Sequence, residues 1–237
     1  MLTHHRAADR FHSSFEWLDS WHSFSFGDHY EPTRMGFRAL RVINDDRIAG
    51  GGGFPTHGHR DMEILTWVLE GAVAHRDSSG GEGLIQPGEL QRMTAGRGIR
   101  HSEFNASTTA SLHLLQIWLE PTSKGLTPGY QQTAFPVAER QGRLRLIASP
   151  TAREGSLSIA AAAEVYATLL APGEQVTHAI APGRHVWLQV ASGAVLVNGV
   201  RLAAGDGLEI SDEAAVTLIG VAEVNATNAE VVLFDLG

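Results

Sequence analysis

The chain has 237 residues, 43% of them apolar, and sets 18 Lys and Arg against 26 Asp and Glu for a formal charge of −8. The apolar share supports a substantial core and excludes wholesale disorder, while the acidic balance offers no footprint for nucleic acid or an anionic membrane. There is no cysteine, so disulfides and thiolate metal sites are excluded and any metal must rest on nitrogen and oxygen ligands. The opening Met1-Leu2-Thr3-His4-His5-Arg6 lacks the apolar stretch of a signal peptide, and no run of about 18 apolar residues occurs. A cytoplasmic, monomeric protein is the expectation.

From Asp19 to Gly27, residues Trp21, Ser23 and Ser25 alternate with His22, Phe24 and Phe26, the two-residue period of a strand. Residues 37–43 predict a second strand and Asn44-Asp45-Asp46 a turn. Four glycines at 50–53 lead into Phe54-Pro55-Thr56 and then His57-Gly58-His59. Short apolar runs follow at 64–69, 72–75, 84–85, 90–94 and 112–119, punctuated by Glu70-Gly71, Pro87-Gly88, Gly96 and Gly98. Strands at this spacing predict a sandwich or barrel. The stretch 121–141, rich in Pro, Gly, Gln and Thr, is expected to connect two domains, 1–135 and 136–237. Strand-like runs resume at 144–148, 157–160, 165–170, 185–190, 194–197, 215–221 and 231–234, with Ala160 to Ala163 as a short helical candidate.

Twelve histidines are many for this length, and their placement carries the argument. His57 and His59 are two residues apart, as are His101 and Glu103; on a strand each pair projects to one face. Two such strands facing each other give three imidazoles and a carboxylate around one ion. Imidazole is the commonest protein metal ligand, and a carboxylate balances the charge of a divalent cation. Glu63, four residues after His59, is a rival carboxylate, and spacing does not choose between it and Glu103. His22, set among aromatics, is a candidate pocket residue, and Arg100 a candidate for holding an anionic group, although loop arginines are usually only solvated. His75 and His113 lie on apolar strands, and the parity of His113 with Leu115 and Ile117 predicts a histidine packed in or beside the core. His4, His5, His12 and His29 are expected at the surface.

The halves repeat faintly. Val68-Leu69-Glu70-Gly71-Ala72-Val73 matches Val190-Ala191-Ser192-Gly193-Ala194-Val195, and Thr56-His57 matches Thr177-His178. Downstream, Pro87-Gly88-Glu89-Leu90 has a counterpart in Ala204-Gly205-Asp206-Gly207-Leu208. With Gly205 set against Gly88, Leu218 stands at the place of His101, and Ile180 falls near that of His59, the pattern of a duplicated barrel that kept its core and lost its ligands.

His57-x-His59-x3-Glu63 followed by Gly71 resembles the first cupin motif, with one residue more than usual before the glycine. Gly98-x2-His101-x3-Asn105 resembles the second, with Thr94 where proline is frequent. Trp21-His22-Ser23-Phe24-Ser25-Phe26-Gly27, Thr56 to Ile64 and Met93 to Glu103 closely resemble the pirin family. The closing Val232-Leu233-Phe234-Asp235-Leu236 and the degenerate second half resemble its bacterial quercetinase-like members, and the similarity spans essentially the whole chain. The resemblance implies an all-β fold of two cupin (jelly-roll, double-stranded β-helix) barrels in tandem, with metal in the N-terminal barrel only. It implies the ligands His57, His59, His101 and Glu103, and so favours Glu103 over Glu63. It also implies a quercetin 2,3-dioxygenase that opens a flavonol with O2 and releases CO, with Glu103 as general base. Iron(II) is the expected metal; Mn, Ni, Co, Cu and Zn stay open to this ligand chemistry. Because animal members are linked to transcriptional co-regulation, the alternative is a non-enzymatic metal-binding regulator or redox sensor acting through a protein partner. A cupin isomerase or sugar binder is a third reading.

Overall fold

The alternating runs become strands, and the strands close into two barrels in the computed structural model, which describes residues 1–224 and 226–237. Each barrel pairs a seven-stranded sheet with a four-stranded one. In the first, the large sheet runs Gly129–Ala134, Glu89–Thr94, Glu63–Glu70, Leu112–Leu119, Leu40–Ile48, Leu18–His22, Phe11–Ser14, and the small sheet Gly53–His59, Ile99–Asn105, Val73–Asp77, Glu82–Ile85. In the second, the large sheet runs Leu2–His5, Gly207–Ile210, His185–Ser192, Ala229–Leu236, Ala163–Leu170, Arg145–Ser149, Leu157–Ser158, and the small one Gln175–Ala179, Ala215–Val221, Ala194–Val197, Val200–Ala203. Among the described residues no helix is long and apolar enough to cross a membrane.

The two large sheets lie against each other, and strand periodicity divides their side chains between two interiors. Leu65, Trp67, Leu115, Ile117 and Leu119 of the first barrel pack with Val165, Ala167, Trp187, Val232 and Phe234 of the second in one shared core. The alternate residues Val68, Leu112 and Leu114 face inward into the first barrel with Leu18, Ile48, Val73 and Ile85. In the second barrel the inward set, Val186, Leu188, Val190, Val231 and Leu233, is continuous with Ile180, Val216 and Leu218. The shared core is pinned by one polar cluster. Glu230 accepts from Trp67 Nε1 at 3.0 Å and from Arg140 at 2.8 Å, and the Arg140 guanidinium lies 5.1 Å from the centre of the Trp67 ring.

Four expectations need correction. Asn44-Asp45-Asp46 is not a turn but the middle of the strand Leu40–Ile48, because strands pair with it on both sides and each polar side chain finds a partner. Asp45 accepts from Arg10 and His113 on one face, while Asn44 and Asp46 bond His22 and Ser20 on the other. The 121–141 connection is not loop throughout: Gly129–Ala134 pairs with Glu89–Thr94, and Val137–Arg140 forms a single helical turn. Ala160 to Ala163 is a bend entering the strand Ala163–Leu170. The division 1–135 and 136–237 is crossed at the start, where Leu2–His5 pairs antiparallel with Gly207–Ile210 of the second barrel.

Removing the Glu230 carboxylate leaves a buried guanidinium and an indole N–H without their acceptor. Glu230→Ala is expected to lower unfolding free energy by about 3 kcal/mol in urea denaturation, as for breaking a buried ion pair from one side. A second prediction concerns Asp235. Burial acts to raise its pKa, but bonds from His178 and Arg184 outweigh it and hold the carboxyl below 3.8. A depressed carboxyl stabilises the fold above its unfolded pKa and ceases to as the pH falls through the folded one. The urea midpoints of the wild type and Asp235→Asn are therefore expected to differ most above pH 3.8 and to converge below it.

Candidate metal centre

The strands Gly53–His59 and Ile99–Asn105 pair antiparallel with His57 opposite His101. Along Ile99–Asn105 burial alternates, so His101 and Glu103 point inward while Arg100 and Phe104 point out. The register shifts between His101 and Glu103, and there the two backbones come so close that a Cβ on Gly53 would sit 2.6 Å from the Glu103 carbonyl oxygen. Only glycine fits that approach.

His57, His59 and His101 each offer a ring nitrogen within 4.8 Å of the others'. His57 Nδ1 donates to the Pro55 carbonyl at 2.9 Å, which leaves Nε2 with its lone pair free, and this atom is 3.0 Å from His101 Nε2. Two nitrogens each about 2.1 Å from a common ion and at right angles around it would be about 3.0 Å apart, so this spacing fits two ligands of one cation. Burial, then the neighbouring rings, pushes His59 down to about 4 and His101 down to about 3. Both are neutral at ordinary pH, the form that binds metal. His101 Nδ1 is buried without a partner.

Glu103, 3% exposed, lies against His101 on the barrel wall. Its Oε2 accepts from Gln116 Nε2 at 3.0 Å, and its Oε1 from the Thr66 hydroxyl at 3.2 Å. The Thr66 hydroxyl is also 3.3 Å from Gln116 Oε1. A ligand atom of Glu103 lies within 4.8 Å of ligand atoms of both His101 and His75. His75, however, has both nitrogens engaged: Gln91 donates to Nδ1 at 3.3 Å and Nε2 donates to Asp77 at 3.0 Å. Its role is to fill the barrel beside His101, stacked on Tyr130.

The histidines open onto a cavity of about 560 Å³, within the size range of small-molecule sites. Its walls are Phe15, Leu18, Phe26, Phe54, Ile64 and Trp118, with Gln116 and Glu103 at the polar end. Trp118 packs edge-on to His59, and Phe26 edge-on to Trp118. His22 lines this cavity, as do His12, exposed as expected, and His29, which was expected at the surface and is half-buried.

Two sequence candidates lie elsewhere. Glu63 alternates with Ile64 and Thr66, so while those two face the barrel interior it faces the second barrel with Leu65 and Trp67. Its carboxyl accepts from Thr94 at 3.0 Å, and burial raises its pKa. Arg100 sits on the outer face and reaches the Thr56 carbonyl at 3.4 Å. Gln116 and Thr66, which orient Glu103, escaped the sequence reading; the signal was a polar residue at an inward position of each apolar run.

The second barrel carries other residues at the places that match this cluster. His178 pairs with Val216 as His57 pairs with His101, and Val195 pairs with Gly220 as Val73 pairs with Asn105. Both ladders make Val216 the counterpart of His101 and Leu218 that of Glu103, a two-residue correction to the expected match of Leu218 with His101. Ile180, Val216 and Leu218 belong to the apolar core there, and His178 is bound to Asp235 at 2.7 Å.

Residues 4–119 match the family model for pirin, and residues 146–236 that for the quercetinase C-terminal cupin domain. The chain is 50% identical over 236 residues to the quercetin 2,3-dioxygenase of Escherichia coli K12, covering 100% of this chain and 99% of that protein. The crystal structure of a bacterial pirin from Escherichia coli in complex with nickel(II) matches with a TM-score of 0.92 at 49% identity, covering 100% of this chain and 99% of that one. A quercetin 2,3-dioxygenase structure from Acinetobacter baumannii, 22% identical, shares the fold with a TM-score of 0.76 over 96% of this chain and 84% of that one.

Titration calorimetry with zinc(II) is expected to give one ion per chain. His101→Ala is expected to weaken binding at least about 100-fold, more than the loss of an outer partner of a ligand costs. His178→Ala, in the second barrel, is expected to leave it unchanged.

Proposed function

This chain belongs to the pirin family, and we propose that its first barrel is a metal-dependent dioxygenase that opens the heterocycle of quercetin-type flavonols with O2. Both oxygen atoms enter the ring-opened product, and the carbon bearing the 3-hydroxyl leaves as carbon monoxide. The observation that carries this reading is one cavity holding three convergent imidazoles, an oriented carboxylate and aromatic walls that fit a planar ring system. The proposed ligands are His57, His59, His101 and Glu103, with iron(II) as the resident ion; the nickel(II) held by the Escherichia coli relative supports a divalent cation on nitrogen and oxygen ligands. When bound, the ion supplies Lewis acidity toward the substrate 3-oxygen and a route for electron density to O2.

The protein's own groups do the rest. Phe26, Trp118, Phe54 and Ile64 hold the flat substrate and keep bulk water from it. Glu103 is the general base that takes the 3-hydroxyl proton. That proton is placed on Oε1, whose one partner among the described residues is the Thr66 hydroxyl. Thr66 has an alternative acceptor in Gln116 Oε1, 3.3 Å away, so its hydroxyl can turn aside as Oε1 becomes protonated. Gln116 meanwhile keeps its bond to Oε2, and the carboxyl plane stays fixed throughout the transfer.

Protein restored with iron(II) is expected to consume quercetin and O2, with loss of flavonol absorbance and release of CO. Glu103→Gln is expected to lower kcat by about 10²- to 10⁴-fold, the usual worth of a general base, and His57→Ala to abolish turnover. Wild-type protein that turns over no flavonol with any of the candidate divalent metals restored sinks the proposal. Metal-dependent capture of a specific protein partner by such inactive protein would favour the regulator reading.

A further inference from the structure

The large sheet brings a second polar cluster into the same cavity, and the chemistry proposed above makes no use of it. Asn44 and Asp46 stand two residues apart on one face of Leu40–Ile48, 3% and 2% exposed, and both line the cavity. Each is held from behind. The Ser20 hydroxyl donates to Asp46 Oδ1, and His22 Nδ1 donates to Asn44 Oδ1 at 2.8 Å. Burial lowers the pKa of His22, so the ring is neutral, and its one proton is committed to Asn44. His22 Nε2 in turn accepts from Ser13, and the Ser13 oxygen accepts from His29, each at 3.0 Å. The relay fixes the orientation of the Asn44 amide.

Two atoms are left over. Asp46 Oδ2 and Asn44 Nδ2 make no hydrogen bond to any described residue, and neither is among the sealed, unpartnered atoms of the interior. They therefore face the cavity as an acceptor and a donor side by side. Burial, with the Asp45 and Glu103 carboxylates near, pushes Asp46 up to about 7. Asn44 lies opposite Gln116 in the register, and Gln116 is bonded to Glu103. The pair thus sits about 5 Å, one strand spacing, beyond the residue that orients the base.

We propose that Asn44 and Asp46 form a second anchor, reading a phenolic hydroxyl of the substrate other than the one presented to Glu103. The hydroxyl donates to Asp46 Oδ2, and its oxygen accepts from Asn44 Nδ2. This rests on the flavonol reading and narrows it to polyhydroxylated substrates. The pair is a positioning device that sets which way round the ring system enters. A flavonol without the second hydroxyl leaves a buried carboxyl and amide unpaired, the arrangement by which a protein site rejects a deoxy analogue most strongly.

The test is anaerobic calorimetric titration of the metal-loaded protein with quercetin and with 3-hydroxyflavone, whose only hydroxyl is at position 3. The wild type is expected to prefer quercetin by about tenfold or more. In Asp46→Leu and Asn44→Leu the ratio of the two affinities is expected to fall toward one, while Asp46→Asn, which keeps a donor and an acceptor, retains part of it. Urea midpoints verify that each variant is folded. An affinity ratio near one in the wild type, or one that both leucine variants leave unchanged, overturns the anchor. Admitting O2 afterwards separates the two proposals. Asp46-dependent discrimination without turnover keeps the anchor and sinks the dioxygenase; turnover of both flavonols with equal kcat/KM in wild type and variants does the reverse.

Discussion

Each central strand of the first barrel's large sheet has to satisfy two interiors at once. One face closes the cavity and the other packs against the second barrel, with no solvent-facing side to absorb an unsuitable residue. The strand Leu112–Leu119 shows the rule. Leu112, Leu114 and Gln116 face the cavity side, while Leu115, Ile117 and Leu119 enter the shared core. The same alternation decides the fate of two carboxylates that spacing left equal. Glu63 has the parity of Leu65 and Trp67 and is turned away from the histidines, whereas Glu103 has the parity of His101 and is turned toward them. A side chain is placed by the two-residue period first and by its chemistry second.

That constraint explains why a barrel with apolar residues at the places of His59, His101 and Glu103 belongs to the structure. Without Trp187, Val232 and Phe234, the apolar face of the first large sheet would meet water. Burial of that kind is worth roughly 25 cal/mol per Å² removed from water, and the strand Leu2–His5, pairing with Gly207–Ile210, ties the start of the chain into the second barrel's large sheet. The second barrel closes its own centre with apolar side chains. Ile180, Val216 and Leu218 fill space that in the first barrel is kept open for side chains with free lone pairs. His178, at the place of His57, is bound to a carboxylate that also holds Arg184.

Much of this was legible in the sequence. The β character of both halves, a sandwich or barrel class, the inward pairs His57/His59 and His101/Glu103 and the faint repeat all follow from period two and turn chemistry, which are local; that the class is two cupin barrels came from the family resemblance. What was missed is non-local. Asn44-Asp45-Asp46 carries the composition of a turn because Asn and Asp satisfy a turning backbone well. Here strands on either side supply the backbone bonds, and Arg10, His113, Ser20 and His22, up to 68 residues away, supply the side-chain bonds. His29 sits in a loop by sequence, and only the fold over it makes it part of the cavity wall. The choice between Val216 and Leu218 as the counterpart of His101 turned on a two-residue slip that a glycine-anchored alignment cannot see but a strand ladder can.

The cost of the polar wall is the last consideration. A buried carboxyl or amide without partners is destabilising by about 1–3 kcal/mol, and this cavity wall carries Asp46, Asn44, His22 and Ser20 together. The relay through Ser13 and His29 offsets part of that cost by pairing the inward-held atoms, but it leaves Asp46 Oδ2 and Asn44 Nδ2 to the cavity. Leucines at those places would complete the apolar set of Leu18, Phe54 and Ile64 and stabilise the barrel, as replacement of buried polar groups by packed apolar ones often does. The second barrel has apolar residues at three of the four places that match His57, His59, His101 and Glu103. The first barrel keeps its polar atoms on both walls of one cavity, imidazoles on the small sheet and hydroxyl-pairing groups on the large one, so the stability forgone there is tied to what the cavity holds.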